Sequence, residues 1–331
     1  MAGCDQRSRI ADQSRLIAGR GDPVFSACRG ARRPASSSAR QMIPMRPEVT
    51  RMPSPRRYPE AALSRYLSSG IHAVHGWLDD FSAEAIAKLG EAQTDHGLSG
   101  AVAEIGVHHG KLFLLLQLVT RTDEKGLAID LFEQQELNID RSGQGDRGRF
   151  IENLRKHCGG EDGVVIRAAS STDVTAGEIR ATVGPVRLFS VDGGHTEALT
   201  ANDLKLAAAS LVDGGIVVLD DHFNPYWPDV AAGLGRHIFV DQSPLRPFAI
   251  TPGKVFLCHP DWSATWRDAL VKAFPTAHEK QSEMYGAPVE ILGIGRFSLR
   301  AEADRHLWQV KAFVKARPAL ASFARKLTGR N

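Results

Sequence analysis

The chain has little cysteine and no long apolar run, and both absences exclude classes of protein. Its four cysteines, among 331 residues, are scattered and form no CxxC pair, so neither a disulfide framework nor a zinc ribbon is indicated. The longest apolar run, residues 112–119, is interrupted by Gln117 and is much shorter than the ~18 residues that a membrane span requires. We therefore expect a protein of the reducing cytoplasm with no membrane partner.

The chain also has little excess of one charge sign over the other, except in its first 57 residues. Residues 1–57 contain twelve arginines and only four acidic residues, a net charge of +8 in a chain whose total is +3. The remainder is therefore mildly acidic, at −5. Because the basic segment has no nucleic-acid-binding motif and no interleaved aromatic residues, we expect no nucleic acid partner.

Residues 1–57 also lack the apolar periodicity that a packed core requires, and we expect a disordered basic extension there. Their Arg-rich, Ser-rich and acid-poor composition equally fits an organelle transit segment. Met42, Met45 and Met52 offer internal starts, so it stays open whether this extension is a genuine part of the protein.

Strand and helix patterns alternate from residue 101 onwards. Short apolar runs bounded by Gly or Pro indicate strands buried on both faces, and the segments between them have helical spacing. The predicted strands are 101–107, 126–131, 164–168, 186–191 and 216–219. Residues 248–250 and 254–258 then predict a closing hairpin. The fold class is therefore α/β: a doubly wound, mostly parallel seven-stranded sheet with a terminal antiparallel hairpin and N-terminal capping helices.

The α/β domain is expected to span residues 58–260, followed by a helical, basic appendage at 261–331. Beyond Pro260 helices are expected, together with an apolar run at 289–294. Residues 305–330 contain no Asp or Glu, and Leu307, Val310 and Val314 recur at helical spacing. This pattern predicts an amphipathic helix that docks on its own domain or on a partner.

Acidic side chains follow two of the predicted strands. Asp192 follows strand 186–191, and Asp220 and Asp221 follow strand 216–219, with one helix between the two strands. Because residues at the carboxyl ends of parallel strands face the ligand crevice, we expect these three acids to converge. Acids gathered in such a place bind a cation or orient a polar ligand.

A glycine-containing loop follows the first strand, in the stretch AEIGVHHGK. It places Glu104, Gly106 and Gly110 in a turn that opens a helix, but with ExGxxxG spacing rather than GxGxxG, which disfavours a dinucleotide-binding dehydrogenase. Asp130 ends the next strand, where a carboxylate can accept hydrogen bonds from ribose hydroxyls.

This combination resembles the class I S-adenosylmethionine-dependent methyltransferases, over roughly residues 70 to 260. The resemblance implies a Rossmann-like methyltransferase fold and a cofactor site to which six residues contribute: Glu104, Gly106, Gly110, Asp130, Ser170 and Asp192. In it, the two glycines flank the methionyl part of the cofactor, and Asp130 binds the ribose. Ser170 lies near the adenine, although Ala169 stands where the family often has an acid.

The pattern VDGGH followed by LDDH is most similar to the magnesium-dependent sugar O-methyltransferases of the macrocin and mycinamicin type. That resemblance implies a Mg2+ ion held by Asp192, Asp220 and Asp221, with His195 as the catalytic base beside Asp192. The chemistry agrees, because a hard cation on oxygen ligands lowers the pKa of an alcohol and histidine accepts a proton near neutral pH. We therefore expect a cytoplasmic methyltransferase that uses S-adenosylmethionine and acts on a small-molecule hydroxyl, such as that of a sugar or glycosylated metabolite.

Other interpretations stay open. Asp192 could cap a helix, Asp220 and Asp221 could bind backbone or cofactor without metal, and His222 could replace His195 as the base. The enzyme could then be a metal-independent methyltransferase on another acceptor group. It could also be an oxidoreductase resembling cephalosporin hydroxylase, or a cofactor-binding protein without turnover. Neither the acceptor nor the oligomeric state, monomer or homo-oligomer, follows from the sequence.

Overall fold

A nine-stranded sheet organises residues 54–295, the part of the chain that the computed structural model describes. Its strands are β1 (Ala101–Ile105), β2 (Gly126–Asp130), β3 (Val164–Ala168), β4 (Val186–Val191), β5 (Leu211–Asp220), β6 (Arg246–Thr251), β7 (Lys254–Cys258), β8 (His278–Met284) and β9 (Ala287–Leu292). The α-helices are α1 (Glu60–Arg65), α2 (Ile71–Ala73), α3 (Asp80–Asp95), α4 (Lys111–Leu118), α5 (Arg147–Cys158), α6 (Ala176–Val183), α7 (Glu197–Ser210), α8 (Pro228–Phe239) and α9 (Pro260–Ala273).

The strand order is β3-β2-β1-β4-β5-β7-β6-β9-β8, with the first five strands parallel. The β6–β7 hairpin pairs antiparallel with β5, so the predicted α/β class with a mostly parallel sheet and an antiparallel hairpin is confirmed. The predicted count of seven strands is wrong. The apolar run after α9 forms β9, which pairs parallel with β6, and β8 pairs with it at the edge. Because the sequence of β8, HEKQSEM, is polar throughout and largely exposed, it gave no strand signal.

Two apolar cores cover the two faces of the sheet. Val102 and Leu188 pack with α3, α4, α5 and α9 on one face, and Ala103 and Phe189 pack with α6, α7 and α8 on the other. This alternation is the period-two geometry of strands that are buried on both faces. Loops at the carboxyl ends of the strands are consequently left free of helices and can carry a ligand site.

A buried ion pair closes the opposite, amino end of the sheet. Arg187, near the start of β4, is fully buried and donates to both carboxylate oxygens of Glu124, at 2.8 and 3.0 Å. Its remaining nitrogen contacts are to Val119 O at 2.8 Å, Gln93 Oε1 at 3.1 Å and Gly90 O at 3.4 Å. The network ties α3 and the end of α4 to the central strand.

Two segments of the sequence analysis fall outside the described residues. These are the proposed basic extension, apart from residues 54–57, and the basic C-terminal helix with Leu307, Val310 and Val314. Within residues 54–295, every helix is too short or too polar to span a bilayer.

Candidate active site at the carboxyl ends of the strands

A cavity of about 570 Å³ opens where β1, β2, β4 and β5 end. Seven of the residues selected from the sequence line it: Gly106, Asp130, Ser170, Asp192, His195, Asp220 and Asp221. Two others do not line it. Glu104 is buried within the sheet, where it accepts a hydrogen bond from Ser190 Oγ at 3.3 Å, and Gly110 caps α4 against the ring of Phe150.

Gly106 joins the loop after β1 to the loop after β4. Its φ is +85°, and a Cβ at this position would lie 1.7 Å from the carbonyl oxygen of Asp192. No side chain fits there, and only glycine adopts this backbone conformation without strain. The glycine of the loop is therefore required by contact with the acid-bearing strand as well as by the turn itself.

Asp130 organises the same loop from the end of β2. Its Oδ2 accepts a hydrogen bond from His108 N at 2.7 Å, and its Oδ1 accepts one from Phe132 N at 2.6 Å. Both donors have left-handed backbones, with φ values of +54° and +47°. Burial raises the pKa of Asp130, although these backbone hydrogen bonds oppose the shift. Each oxygen keeps a second lone pair that a ligand hydroxyl can use.

Ser170 lies at the far end of the cavity, beyond β3. It precedes a short 3-10 helix, Ser171–Asp173, and its Oγ accepts a hydrogen bond from Thr172 N at 3.3 Å. Ala169, Ser171 and Thr172 also line the cavity, so this end is small and polar.

The three predicted acids converge, but a buried lysine is among them. Lys254 Nζ lies 2.5 Å from Asp220 Oδ2 and 3.8 Å from Asp192 Oδ2, because β7 pairs Lys254 directly with Asp220. Burial lowers the pKa of Lys254, but the two carboxylates outweigh that effect and raise it above its ordinary value. Burial and the adjacent Asp220 raise the pKa of Asp192 well above its ordinary range. Asp192 and Asp220 therefore share the single ammonium of Lys254.

A cation site is geometrically available beside this lysine. One ligand atom each from Asp192, His195 and Asp221 lies within 4.8 Å of the others. Asp220, the third predicted ligand, is outside that group and is paired with Lys254 instead. The two carboxylates of this group are ligands that suit a hard divalent cation.

His195 is held between two carboxylates. Its Nδ1 lies 2.8 Å from Asp140 Oδ2, its Nε2 lies 3.0 Å from Asp221 Oδ2, and its ring stacks on Trp227 at a centroid distance of 4.3 Å. Burial lowers the pKa of His195, but the hydrogen bonds to Asp221 and Asp140 outweigh burial and raise it overall. Asp221 has a left-handed backbone, with φ of +59°, and this unusual conformation directs its carboxylate at the ring.

Asp140 is a site residue that sequence reasoning missed. Its carboxylate accepts from both the ring and the backbone N of His195, and hydrogen bonds from Ser142 and His195 outweigh burial and hold its pKa at about 2. Because it lies in a polar loop with no periodicity, the sequence offered no signal. Lys254 was also missed, although a lysine in the apolar strand KVFLC is a detectable anomaly.

The alternative residues lie elsewhere. His222 does not line the cavity, and its burial lowers its pKa to about 4. Tyr226 is 81% exposed, whereas Trp227 lines the cavity. Leu137 and Ile139, both exposed, and Trp77 form an apolar rim around the polar floor.

Comparison with known proteins identifies the reaction class. Residues 103–222 match the protein-family model described as "Methyltransferase domain", and no curated protein matches the chain. Among solved structures, the O-methyltransferase NovP is 16% identical, with 54% of this chain and 78% of that chain covered and a TM-score of 0.46. CalS11, described as a TDP-rhamnose 3'-O-methyltransferase, is 19% identical, with coverages of 61% and 93% and a TM-score of 0.42.

TomG, an O-methyltransferase from Streptomyces achromogenes, is 16% identical, with coverages of 60% and 89% and a TM-score of 0.41. With TM-scores this low, none of the three likenesses decides the substrate. The matched region, residues 103–222, runs from β1 to just beyond β5 and contains the acid cluster, the glycine loop and most of the cavity. The chain therefore carries a methyltransferase domain and is an enzyme of the methyltransferase class.

Proposed function

We propose that this enzyme transfers a methyl group from S-adenosylmethionine to a hydroxyl of a small molecule, such as a sugar or a glycosylated metabolite. The observation that carries the proposal is the convergence of Gly106, Asp130 and the His195–Asp221 pair on one cavity. The cavity is of the size that small ligands occupy, and it combines an apolar rim with few polar groups.

The cofactor half of the cavity is assigned to the loops after β1, β2 and β3. Bound S-adenosylmethionine supplies an electrophilic methyl group. Asp130 accepts from the ribose hydroxyls with its unused lone pairs while its loop hydrogen bonds hold it in place. The backbone at Gly106 leaves room for the methionyl part, and the polar wall around Ser170 receives the adenine.

The acceptor half is assigned to the loops after β4 and β5. Asp192 and Asp221 would hold a divalent cation, of which Mg2+ fits carboxylate oxygens best, while Asp220 pairs with Lys254 beside them. The cation supplies positive charge that makes an acceptor hydroxyl more acidic. The spacing supports this assignment, since one oxygen of each carboxylate lies within 4.8 Å of the other.

His195 is the proposed base. Asp140 fixes the ring through Nδ1, so the proton exchanged with the acceptor belongs to Nε2 on the cavity side. Nε2 faces Asp221 at 3.0 Å, and it accepts a proton only once that contact is released. Asp221 is also a proposed cation ligand, and a carboxylate bound to a cation would leave Nε2 of His195 free to accept the proton.

A metal-independent methyltransferase is a second candidate, and Lys254 is the observation that favours it. The ammonium lies 2.5 Å from Asp220 and already neutralises part of the acid cluster, as a cation would. In that case Asp192 and Asp221 would orient the acceptor by hydrogen bonds alone.

Calorimetric titration of S-adenosylhomocysteine, with and without Mg2+, tests the division of the cavity into two halves. We expect Asp130→Ala to weaken binding of this product at least ~10-fold, because a ribose acceptor is lost. Asp221→Ala should leave the affinity within about 2-fold of the parent. It should abolish S-adenosylhomocysteine formation with a panel of sugar and glycoside hydroxyl acceptors. Equal loss of cofactor affinity in both variants would show that the residues are misassigned.

A chelator separates the two candidates. If a cation is required, EDTA stops product formation and Mg2+ restores it. Unchanged turnover in EDTA would exclude the metal requirement and would support the metal-independent methyltransferase. Asp123→Ala, a substitution at an exposed residue at the other end of the sheet, serves as the matched control for both measurements.

A further inference from the structure

A cluster of three histidines lies beside the cavity but outside the acid cluster. One ring nitrogen each from His75, His108 and His109 lies within 4.8 Å of the others. The ring centroids of His108 and His109 are 3.9 Å apart, and that of His75 is 5.2 and 5.4 Å from theirs. No step of the proposed methyl transfer uses these rings.

Independent contacts hold the two parts of this cluster in place. His108 has a left-handed backbone, with φ of +54°, and its N–H is fixed by Asp130, so the adjacent rings of His108 and His109 stack on one side of the loop. His75 belongs to the segment after α2, and Lys111 Nζ donates to the carbonyl of the next residue, Gly76, at 2.9 Å. Residues 35 positions apart are thereby joined at one point.

One ring nitrogen of this cluster is buried and unpaired. Nδ1 of His108 has no hydrogen-bond partner among the described residues, whereas buried polar atoms are normally paired. This nitrogen is therefore available to bind an ion.

We propose that His75, His108 and His109 form a binding site for a divalent transition metal of the zinc class. Imidazole ligands select zinc, copper or nickel over magnesium, so this site and the acid cluster prefer different ions. Tetrahedral zinc with Zn–N bonds of about 2.0–2.1 Å separates its ligand nitrogens by roughly 3.4 Å, and the ligand atoms here already lie within 4.8 Å of one another. Because the rings of His108 and His109 are stacked at 17°, one of them must rotate about its side-chain bonds to direct its lone pair at a shared ion. Three protein ligands leave a fourth position for water.

The ion would fasten residues 75–77 to the cofactor loop. Trp77 and His108 both line the cavity and contact each other, with ring centroids 5.6 Å apart. A bound metal would therefore fix one wall of the cavity, including its exposed tryptophan. The proposal does not depend on methyl transfer, because neither a cofactor nor Mg2+ takes part in it.

Cobalt titration of the full-length, tag-free chain after chelator treatment tests the site. Co2+ reports tetrahedral nitrogen coordination by its visible absorption, and Zn2+ should displace it at one equivalent. We expect His75→Gln to weaken Zn2+ binding at least ~100-fold, because it removes one of three ligands from an exposed loop without disturbing the core. His108→Gln should do the same. His72→Gln is the matched control, since this nearby histidine pairs with Asp80 instead, and it should bind like the parent.

Absence of a one-equivalent Co2+ site in the parent chain would overturn the proposal, as would parental affinity in both His75→Gln and His108→Gln. The variant Asp221→Asn distinguishes metal binding at the three histidines from metal binding at the acid cluster. If it abolishes Zn2+ binding while His75→Gln does not, the metal belongs to the acid cluster and the trihistidine site is refuted. Failure of S-adenosylhomocysteine to bind would refute the proposed function and leave this result unaffected.

Discussion

Both ends of the sheet bury charged side chains, but the charges are fully hydrogen-bonded at the amino end and only partly so at the carboxyl end. At the amino end, the nitrogens of Arg187 meet the Glu124 carboxylate, two backbone carbonyls and Gln93. Glu124 also accepts from two backbone N–H groups, of Gly100 and Arg121. Every polar atom of this ion pair has a partner, and nothing is left to bind a ligand.

At the carboxyl end, the charges are only partly compensated. Lys254 faces Asp192 and Asp220, and Glu104 Oε2 is buried without a partner. Burial raises the pKa of Glu104 well above its ordinary range, as it does for Asp192. Asp192, unlike Glu104, lines the cavity, and perturbed acids in a cleft are characteristic of functional sites. Hydrogen-bond satisfaction, rather than burial of charge, therefore distinguishes the structural amino end from the cavity end of the sheet.

Removing Arg187 should give the largest effect on stability. Arg187→Met leaves Glu124 buried without its cation, so the free energy of unfolding should fall by about 3–5 kcal/mol. Urea unfolding followed by circular dichroism measures the loss. The double variant Arg187→Met/Glu124→Gln, which removes both charges, should recover part of it. A loss below about 1 kcal/mol in the single variant would mean that the amino-end network is not structural.

Lys254→Met should have a smaller effect that depends on cations. Asp192 and Asp220 keep some exposure to solvent, so we expect the free energy of unfolding to fall by only about 2 kcal/mol. If the acids bind Mg2+, the ion should raise the unfolding temperature of this variant more than that of the parent. Lys280→Met, at an exposed position in β8, is the control. Equal Mg2+ responses in variant and parent would favour the metal-independent candidate.

The smallest effect is expected at Asp203, a fully buried acid of α7 beneath the loop that follows Asp192. Burial raises its pKa from 3.8 to about 6. Ionisation of Asp203 therefore destabilises the folded state as the pH rises above 3.8, and the full effect is reached above about 6. Below pH 3.8 the carboxyl is protonated in both the folded and the unfolded state, so it has no such effect. Asp203→Asn should therefore stabilise the protein by about 1 kcal/mol at pH 7.5, and the gain should vanish near pH 4. Urea unfolding at both pH values, with exposed Asp268→Asn as control, measures this. A gain that is independent of pH would contradict the assignment.

The sequence predicted the part of the fold that depends on local pattern. The bounds of β3 and β4 agree with the structure, because each is a short apolar run with a clear Gly or Pro boundary. The β8–β9 addition was not predicted, since β8 lies at an edge with one partner strand and needs no apolar face. The strand order beyond β6 depends on pairing between residues far apart in the chain, such as β6 with β9, which a short stretch of sequence does not reveal.

The candidate site likewise contains residues that the sequence predicted and residues that it did not. Asp130, Asp192, Asp220 and Asp221 follow strands, so their meeting at the cavity follows from the parallel topology. Asp140, by contrast, reaches His195 from a loop 55 residues earlier in the chain, and His75 reaches His108 from a segment before the sheet. These contacts depend on loop conformation, including left-handed residues that are not glycine, and sequence patterns do not specify it.

The contact between Gly106 and the carbonyl of Asp192 has a consequence for altering this enzyme. The loops after β1 and β4 touch through backbone atoms alone, so a methyl group added at residue 106 would displace both halves of the proposed site together. Selectivity for a new acceptor is better sought at Leu137 and Ile139, whose exposed side chains border the opening and support nothing beneath them. Substitutions are therefore tolerated better at the entrance of the cavity than at Gly106 in its floor.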